Sequence, residues 1–169
     1  MVDLKSIARI GALVLGLAVW PGAPMVVADE AGDWRVSVND KVVDSRHWAF
    51  ILRGVEKLGQ TLEISLAYRN NASQARPLFL EDNFKSRIFL IDKDSEQRFP
   101  LLSAEGISEQ ITAVDRRESK YAKFMFRYPE GAQSVRFSSK WITMLMRGTA
   151  TIIEVEFDLS LPPPGAKTS

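Results

Sequence analysis

The stretch TIIEVEFDLS, residues 151–160, decides the fold class of this chain. Its even-numbered side chains are mostly acidic or polar, and its odd-numbered ones are mostly apolar: Thr151, Ile153, Val155, Phe157 and Leu159. Successive side chains of a β-strand point to opposite faces, so this alternation predicts a strand with one face on a core and one in water. Burying each of the large apolar side chains contributes roughly 1.5–3 kcal/mol before conformational entropy is subtracted.

The same period of two recurs along the chain. Residues 62–69 (LEISLAYR) and 121–128 (YAKFMFRY) each place apolar side chains on one face, and Pro129 ends the second stretch because it lacks a ladder donor. Shorter candidate strands are residues 34–38, 48–53, 87–92, 98–102, 108–114 and 134–137. Turn signals stand between them, at Arg53-Gly54, Leu58-Gly59, 70–73, 92–95, Glu105-Gly106 and Glu130-Gly131. About seven to nine short strands with this spacing predict an all-β fold, an antiparallel immunoglobulin-like β-sandwich.

The N-terminus has the layout of an export signal. Lys5 and Arg9 precede an uncharged apolar run at residues 10–20, Pro21-Gly22 breaks any helix, and Val26-Val27-Ala28 supplies small residues for cleavage. We therefore expect residues 1–28 to be a signal peptide, with the mature chain beginning at Asp29 and lying in the periplasm or outside the cell. The alternative is an uncleaved membrane anchor, because residues 10–28 approach the ~20 residues of a spanning helix.

Composition restricts what the remaining chain can do. Residues 29–169 carry 20 basic and 20 acidic side chains without long blocks of one sign, so we expect no nucleic-acid binding and no attraction to anionic lipid. The chain has no cysteine, which excludes disulfides, thiol catalysis and cysteine metal sites. We expect one domain at residues 29–161, which needs its own apolar core, and a flexible proline-rich tail at residues 162–169.

Three stretches resemble a family of bacterial secreted immunoglobulin-like domains often called telokin-like: LEISLAYRNN at 62–71, RIFLIDKDSEQRF at 87–99 and KYAKFMFRYP at 120–129. In that family a strand ends in an Asn-rich turn, and a later apolar strand runs into an acidic hairpin. Ser95 stands where the family's hairpin has glycine, and residues 115–118 replace its apolar-Pro-Gly turn. The resemblance implies a sandwich fold and a role as a binding or assembly module.

Candidate chemistry is sparse. His47 is the only histidine, and no Gly-x-Ser-x-Gly motif accompanies it, so we predict an ordinary imidazole rather than a catalytic base. The acidic hairpin at residues 92–96 offers Asp92, Asp94 and Glu96 as oxygen ligands for calcium, although Ser103 stands where an EF-hand loop needs its last glutamate. A further alternative is a copper site. Its ligands would be His47 and the thioethers of Met144 and Met146, which lie on one face of a strand.

Residues 141–147 (WITMLMR) are very apolar and show no clean period, which fits either a helical turn or an irregular strand. If this segment is exposed, Trp141, Met144 and Met146 form an interaction patch; the alternative is a buried crossing between sheets. We therefore predict an exported, non-enzymatic binding or assembly module that contacts an envelope protein, with no cofactor. There are two alternatives. The first is a carrier of a small ligand or metal ion, and the second, ranked below it, is a hydrolase with a carboxylate pair.

Overall fold

The computed structural model describes residues 26–28, 33–38, 41–45, 47–80, 84–107, 112–144 and 149–163. These residues are almost entirely antiparallel β-structure, which confirms the predicted all-β class. The strands are β1 Val26–Ala28, β2 Trp34–Ser37, β3 Val42–Ser45, β4 Trp48–Leu58, β5 Thr61–Asn70, β6 Arg76–Phe79, β7 Ile88–Asp92, β8 Arg98–Glu105, β9 Thr112–Val114, β10 Ser119–Arg127, β11 Ser134–Met144 and β12 Ala150–Ser160. One short 3-10 turn, Phe84–Arg87, lies before β7.

The first layer is built on the long strands β4 and β5, which pair along their whole length. On the other edge of β4, β2 and β3 follow one another and each pairs with a different half of it. Strand β1 lies outside β2, and β10 lies on the far edge of β5. The order across this layer is therefore β1, β2 with β3, β4, β5 and β10.

The second layer is built on β11 and β12, which pair from Ser134 to Met144. Two short strands share the other edge of β11: β7 pairs with its first half, and β6 pairs near its end. Strand β9 then pairs with β6, and the start of β8 pairs with β7.

Strand β8 joins the layers, because its two halves belong to different sheets. Residues 98–100 pair with β7 in the second layer, and residues 101–105 pair with β10 in the first. The register shifts between Met125 and Phe126, where the strand crosses over. The sandwich is thus closed by a shared strand on one side. On the opposite side, the Lys41 ammonium donates a hydrogen bond to the backbone carbonyl of Asp158 on β12.

The core fills the space between the layers with the side chains that alternation predicted. On β12, Ile153, Val155, Phe157 and Leu159 are all buried, as expected, while Ile152 is exposed. The two layers meet in a group of aromatic rings, with ring-centroid distances of 5.2–6.2 Å for the pairs around Phe50, Tyr68, Phe124, Phe137 and Trp141. Such pairs add about 0.5–1.5 kcal/mol each beyond their buried area.

Twelve strands are present in the described residues, more than the expected seven to nine, because the sequence pattern did not predict the short strands β1, β3 and β6, which have three or four residues each. The predicted turn at Arg53-Gly54 is wrong. The pairing of β4 with β5 skips from Leu52 to Gly54, so Arg53 is the extra residue of a β-bulge and the strand continues to Leu58. The choice left open for residues 141–144 is settled, because they continue β11 as a regular strand.

The predicted chain ends lie mostly outside the described residues. Residues 1–25 of the expected leader and 164–169 of the expected tail are not among them, and the domain boundaries stay predictions. Residues 26–28 of the expected leader form β1. No helix in the described part of the chain is long and apolar enough to cross a membrane.

Candidate functional site

The predicted interaction patch is not assembled as expected. Trp141 is only 1% exposed, since β11 turns it inward against Phe50, Tyr68 and Phe124. Its indole N–H donates to the Ser139 hydroxyl at 3.0 Å, so the one polar atom of the ring is satisfied inside the core. Met144 is half-buried at the end of β11, and Met146 lies outside the described residues. Of the two alternatives left open for this segment, the buried one therefore holds for Trp141.

The residues considered for metal binding are not brought together in the part of the chain that the structure describes. No three His, Asp or Glu side chains there are placed to hold a metal ion. His47 lies half-buried in the turn before β4, where its backbone carbonyl accepts the N–H of Asn71 at 2.8 Å. Met144 lies on a different element, at the end of β11, and its backbone carbonyl accepts a hydrogen bond from the Arg76 guanidinium.

In the acidic hairpin, the Asp92 carboxylate is used to build the turn. Its two oxygens accept the Asp94 backbone N–H at 3.0 Å and the Ser95 hydroxyl at 2.6 Å. These bonds, the serine bond above all, lower the pKa of Asp92. Glu96, rather than residue 95, takes the left-handed conformation with φ of 57°, so serine is tolerated at the position where the resembled family has glycine.

A cleft of about 330 Å³ opens at the seam between the layers. We call it the seam cleft. Buried side chains of both sheets form its floor, and the more exposed residues surround its mouth: Leu78, Val114, Trp141 and Tyr68 below, with Gly106, Ile107 and Lys120 above. Five strands and the turn after β8 supply this lining.

The cleft exists because no described strand pairing joins the two sheets here. Strand β10 pairs with β8 only from Lys123 onward, so among the described strands its residues 119–122 are paired on one edge alone, with β5. Among the described strands, β9 pairs only with β6. The edges of β10 and β9 therefore face the seam from opposite layers without a ladder between them.

Gly106 fixes the mouth of the cleft. It follows β8 with φ of 71°, and a Cβ atom at this position would come within 2.1 Å of the Tyr121 carbonyl oxygen on β10. Only glycine allows so close an approach of two backbones. The Tyr68 hydroxyl donates to the Gly106 carbonyl at 3.3 Å, which joins the floor of the cleft to its mouth.

The electrostatics of the cleft are those of a neutral wall with one cation at the rim. Burial, and then the Glu118 carboxylate, raise the pKa of Tyr68 above its ordinary value of 10.0, so the phenol stays protonated at neutral pH. The Lys120 ammonium lies 3.9 Å from Glu118, and both side chains are about one-third exposed or more. An exposed pair of this length contributes little, so Lys120 has capacity to bind another acceptor.

A buried amide holds the loops on one side of the cleft. Asn70 is completely buried, and its side-chain nitrogen donates to the carbonyls of Gln74 at 2.9 Å and Val114 at 2.8 Å. Its side-chain oxygen accepts the Ala72 backbone N–H at 2.8 Å. Its own backbone bonds to the turn at residues 117–118. One side chain thus ties β5, the following turn and β9 together.

A second cleft of about 490 Å³ at the β7–β8 hairpin is charged, and it is lined by Ile91, Asp92, Lys93, Glu96, Arg98 and Arg136. Its cations already have partners. Arg136 Nε and Lys93 Nζ each lie 2.9 Å from a carboxylate oxygen of Asp158, and the Arg98 guanidinium lies over the Phe89 ring at 4.7 Å. These contacts join β7, β11 and β12, so this cleft is a structural ion-pair network.

The sequence analysis missed most of the seam cleft. Tyr68 and Lys120 lie in stretches that the pattern predicts only as strands, and Trp141 lies in the segment considered as an interaction patch. The available local signals were Glu105-Gly106 and Asn70-Asn71, which mark the turns around the cleft. The cleft itself combines residues from 68 to 141, a spacing that no local pattern reveals.

Comparisons with known proteins include a distant likeness to a solved structure. No protein-family model matches the chain, and no curated protein matches it. A crystal structure of the yeast GGA1 GAE domain superimposes with a TM-score of 0.39 and 16% identity, covering 73% of this chain and 98% of that one. None of these findings tests the resemblance to telokin-like domains, which stays a prediction.

Replacing Asn70 tests the buried amide. Asn70→Ala leaves two carbonyls and one N–H without partners, and we expect it to lower the free energy of unfolding by about 2–4 kcal/mol. Asn70→Asp keeps the acceptor but sets a carboxylate against two carbonyls, so it should cost at least as much. Asn71→Ala, at the exposed neighbour, is the control and should change little. Urea unfolding measures all three; an Asn70→Asp variant as stable as wild type would contradict the network.

Removing Asp158 tests the ion-pair network through pH. Hydrogen bonds from Arg136 and then Lys93 hold the pKa of Asp158 at about 2, below its ordinary value of 3.8. The ionised carboxylate therefore stabilises the fold above about pH 4, and this contribution is lost as pH falls towards 2. We expect the free energy of unfolding to fall more steeply over this window in wild type than in Asp158→Asn, as measured by urea unfolding at each pH. Equal slopes for the two proteins would count against the network.

Proposed function

We propose that this chain is an exported, non-enzymatic binding module that recognises an extended segment of an envelope protein at the seam cleft. The observation that carries the proposal is the combination of an aromatic-floored cleft with the outer edge of β10 at residues 119–120, which pairs with no other described strand, whereas Gly106 lies against residues 121 and 122. An extended segment added at such an edge gains main-chain hydrogen bonds, and a neighbouring pocket reads its side chains.

The size of the cleft suits a side chain better than a large ligand. At about 330 Å³ it lies at the low end of the roughly 300–1,000 Å³ of small-molecule pockets. Tyr68 and Trp141 have ring centroids 5.3 Å apart, and together with Leu78 and Val114 they form an apolar floor. A bulky apolar side chain of the partner gains most by entering here, since it leaves water for an apolar floor.

The rim adds a charge preference. Among the described lining residues Lys120 alone is charged, and its contact with Glu118 is long and exposed. A carboxylate on the partner, placed beside the apolar side chain that enters the cleft, would meet the ammonium at the mouth. We therefore expect the recognised segment to carry a bulky apolar residue close to an acidic one.

The lining of the cleft supports binding rather than catalysis. Among the described residues that line it, the titratable side chains are those of Tyr68 and Lys120, and none of these residues is a carboxylate, histidine or serine. General acid–base or nucleophilic catalysis needs a group with a pKa matched to its task and a partner that orients it. Burial raises the pKa of Tyr68, which moves the phenol further from a base at neutral pH.

The location of the module is part of the proposal. The basic start, the apolar run at residues 10–20 and the small residues before Asp29 support export and removal of a leader, which places the protein in the periplasm or outside the cell. The absence of cysteine is compatible with a domain that relies on its apolar core in that compartment.

Selection from a displayed library of random twelve-residue peptides tests the cleft. We expect enriched peptides to combine a bulky apolar residue with an acidic one. Ile107→Trp, which fills the mouth, should weaken their binding by about tenfold or more, and Lys120→Gln by less. Lys140→Gln, on the outer face of β11 and paired with Glu154, is the matched control and should bind as wild type. Isothermal calorimetry measures the affinities.

Two outcomes would overturn the assignment of the site. One is that no peptide is enriched over a library passed on the unfolded protein. The other is that enriched peptides bind the Ile107→Trp variant as tightly as wild type while circular dichroism shows both proteins folded.

A further inference from the structure

Strand β1 is made of residues that the export signal would remove. Val26, Val27 and Ala28 pair in antiparallel register with Val36, Arg35 and Trp34 of β2. The same three residues are the small side chains that precede the expected cleavage point before Asp29. The precursor and the processed protein therefore differ at one sheet edge.

The edge in question is the outer edge of β2. The inner edge of this strand is held by β4, with Trp34 opposite Lys57 and Ser37 opposite Gly54. Trp34 is 8% exposed and belongs to the core cluster, and its ring packs edge-on against Tyr128 at 6.4 Å. Strand β2 is thus fixed in the first layer by contacts that do not depend on β1.

Cleavage after Ala28 would expose the backbone of this strand. Losing residues 26–28 leaves the N–H and C=O groups of residues 34–36 on that edge without the partner that β1 supplies. A sheet edge with free backbone groups is a template for another extended segment.

We propose that the end of the leader occupies the outer edge of β2 in the precursor, and that after its removal this edge binds an extended segment of a partner protein. The inference rests on the leader removal included in the proposed function, and it concerns a surface separate from the seam cleft. The outer edge of β2 is therefore available to a partner only after the leader has been removed.

The register of β1 indicates which segment fits. Val26 and Ala28 lie opposite Val36 and Trp34, the residues that face the core side, and Val27 lies opposite the exposed Arg35. The occupant is therefore an extended segment with small apolar residues at alternate positions. Between them, opposite Arg35, an apolar or acidic residue is acceptable.

A second copy of this chain fits the edge poorly. Antiparallel pairing of two β2 strands centred on Arg35 places the two arginines directly opposite each other, and like charges in that position are destabilising. The favoured occupant is thus a segment of a different chain.

The absence of cysteine allows a direct test by disulfide trapping. The probe is a nine-residue peptide with the sequence of residues 22–30 and cysteine at the position of Val27. The target is the exported, processed protein carrying Arg35→Cys, which is in register with Val27. We expect a mixed disulfide to form about tenfold faster than with Arg127→Cys, an exposed position on β10. The unprocessed chain carrying Arg35→Cys should react as slowly as that control, because its own β1 holds the edge.

N-terminal sequencing of the exported protein separates the possible failures. A protein that keeps its leader contradicts the leader removal included in the proposed function, and the inference about the edge of β2 falls with it. A mature chain that begins at or before Val26, or equal trapping at positions 35 and 127 in a chain that begins at Asp29, overturns this inference alone. Peptide binding at the seam cleft is then unaffected.

Discussion

The structure depends on the packing of Trp141 between the two sheets. Its ring lies within 5.3–6.2 Å of the rings of Tyr68, Phe50 and Phe124, which come from three strands of the opposite layer. Since the chain has no cysteine, apolar contacts of this kind hold the two sheets together without the disulfide that many β-sandwiches have between their sheets. The same ring forms the floor of the seam cleft, so the core and the candidate site share one anchor.

The candidate site follows from how the sandwich closes. Strand β8 crosses between the layers and seals one stretch of the seam, but its pairing with β10 stops at Lys123. Beyond that point the hydrogen bond from Asn70 on β5 to Val114 on β9 joins the layers, while Gly106 lies close to the β10 backbone within the first layer. A gap bordered by strand edges and floored by aromatic rings is a natural place for a partner segment to add.

Period-two alternation predicted the fold class and the inward faces of β5, β10 and β12. On β10 and β12 the other face is mostly exposed, whereas on β5 it is largely covered, with Glu63 and Ala67 buried. Alternation failed on β11 for a physical reason. Ser139 and Thr143 point inward with Trp141, where the serine hydroxyl accepts the Trp141 indole N–H, and Thr143 accepts the Trp48 indole N–H while donating to the Pro77 carbonyl. Satisfied polar groups on the core face, with Ile142 on the other face, hide the alternation. The cleft escaped prediction because its lining is assembled from residues far apart in the chain.

The most direct measurement of this account is an aromatic nuclear Overhauser spectrum of the folded protein with assigned rings. The account predicts cross-peaks from the Trp141 indole protons to ring protons of Phe50, Tyr68 and Phe124, together with slow exchange of the indole N–H that bonds to Ser139. A Trp141 ring whose only cross-peaks are to its own strand, with an indole proton that exchanges rapidly with solvent, would contradict it.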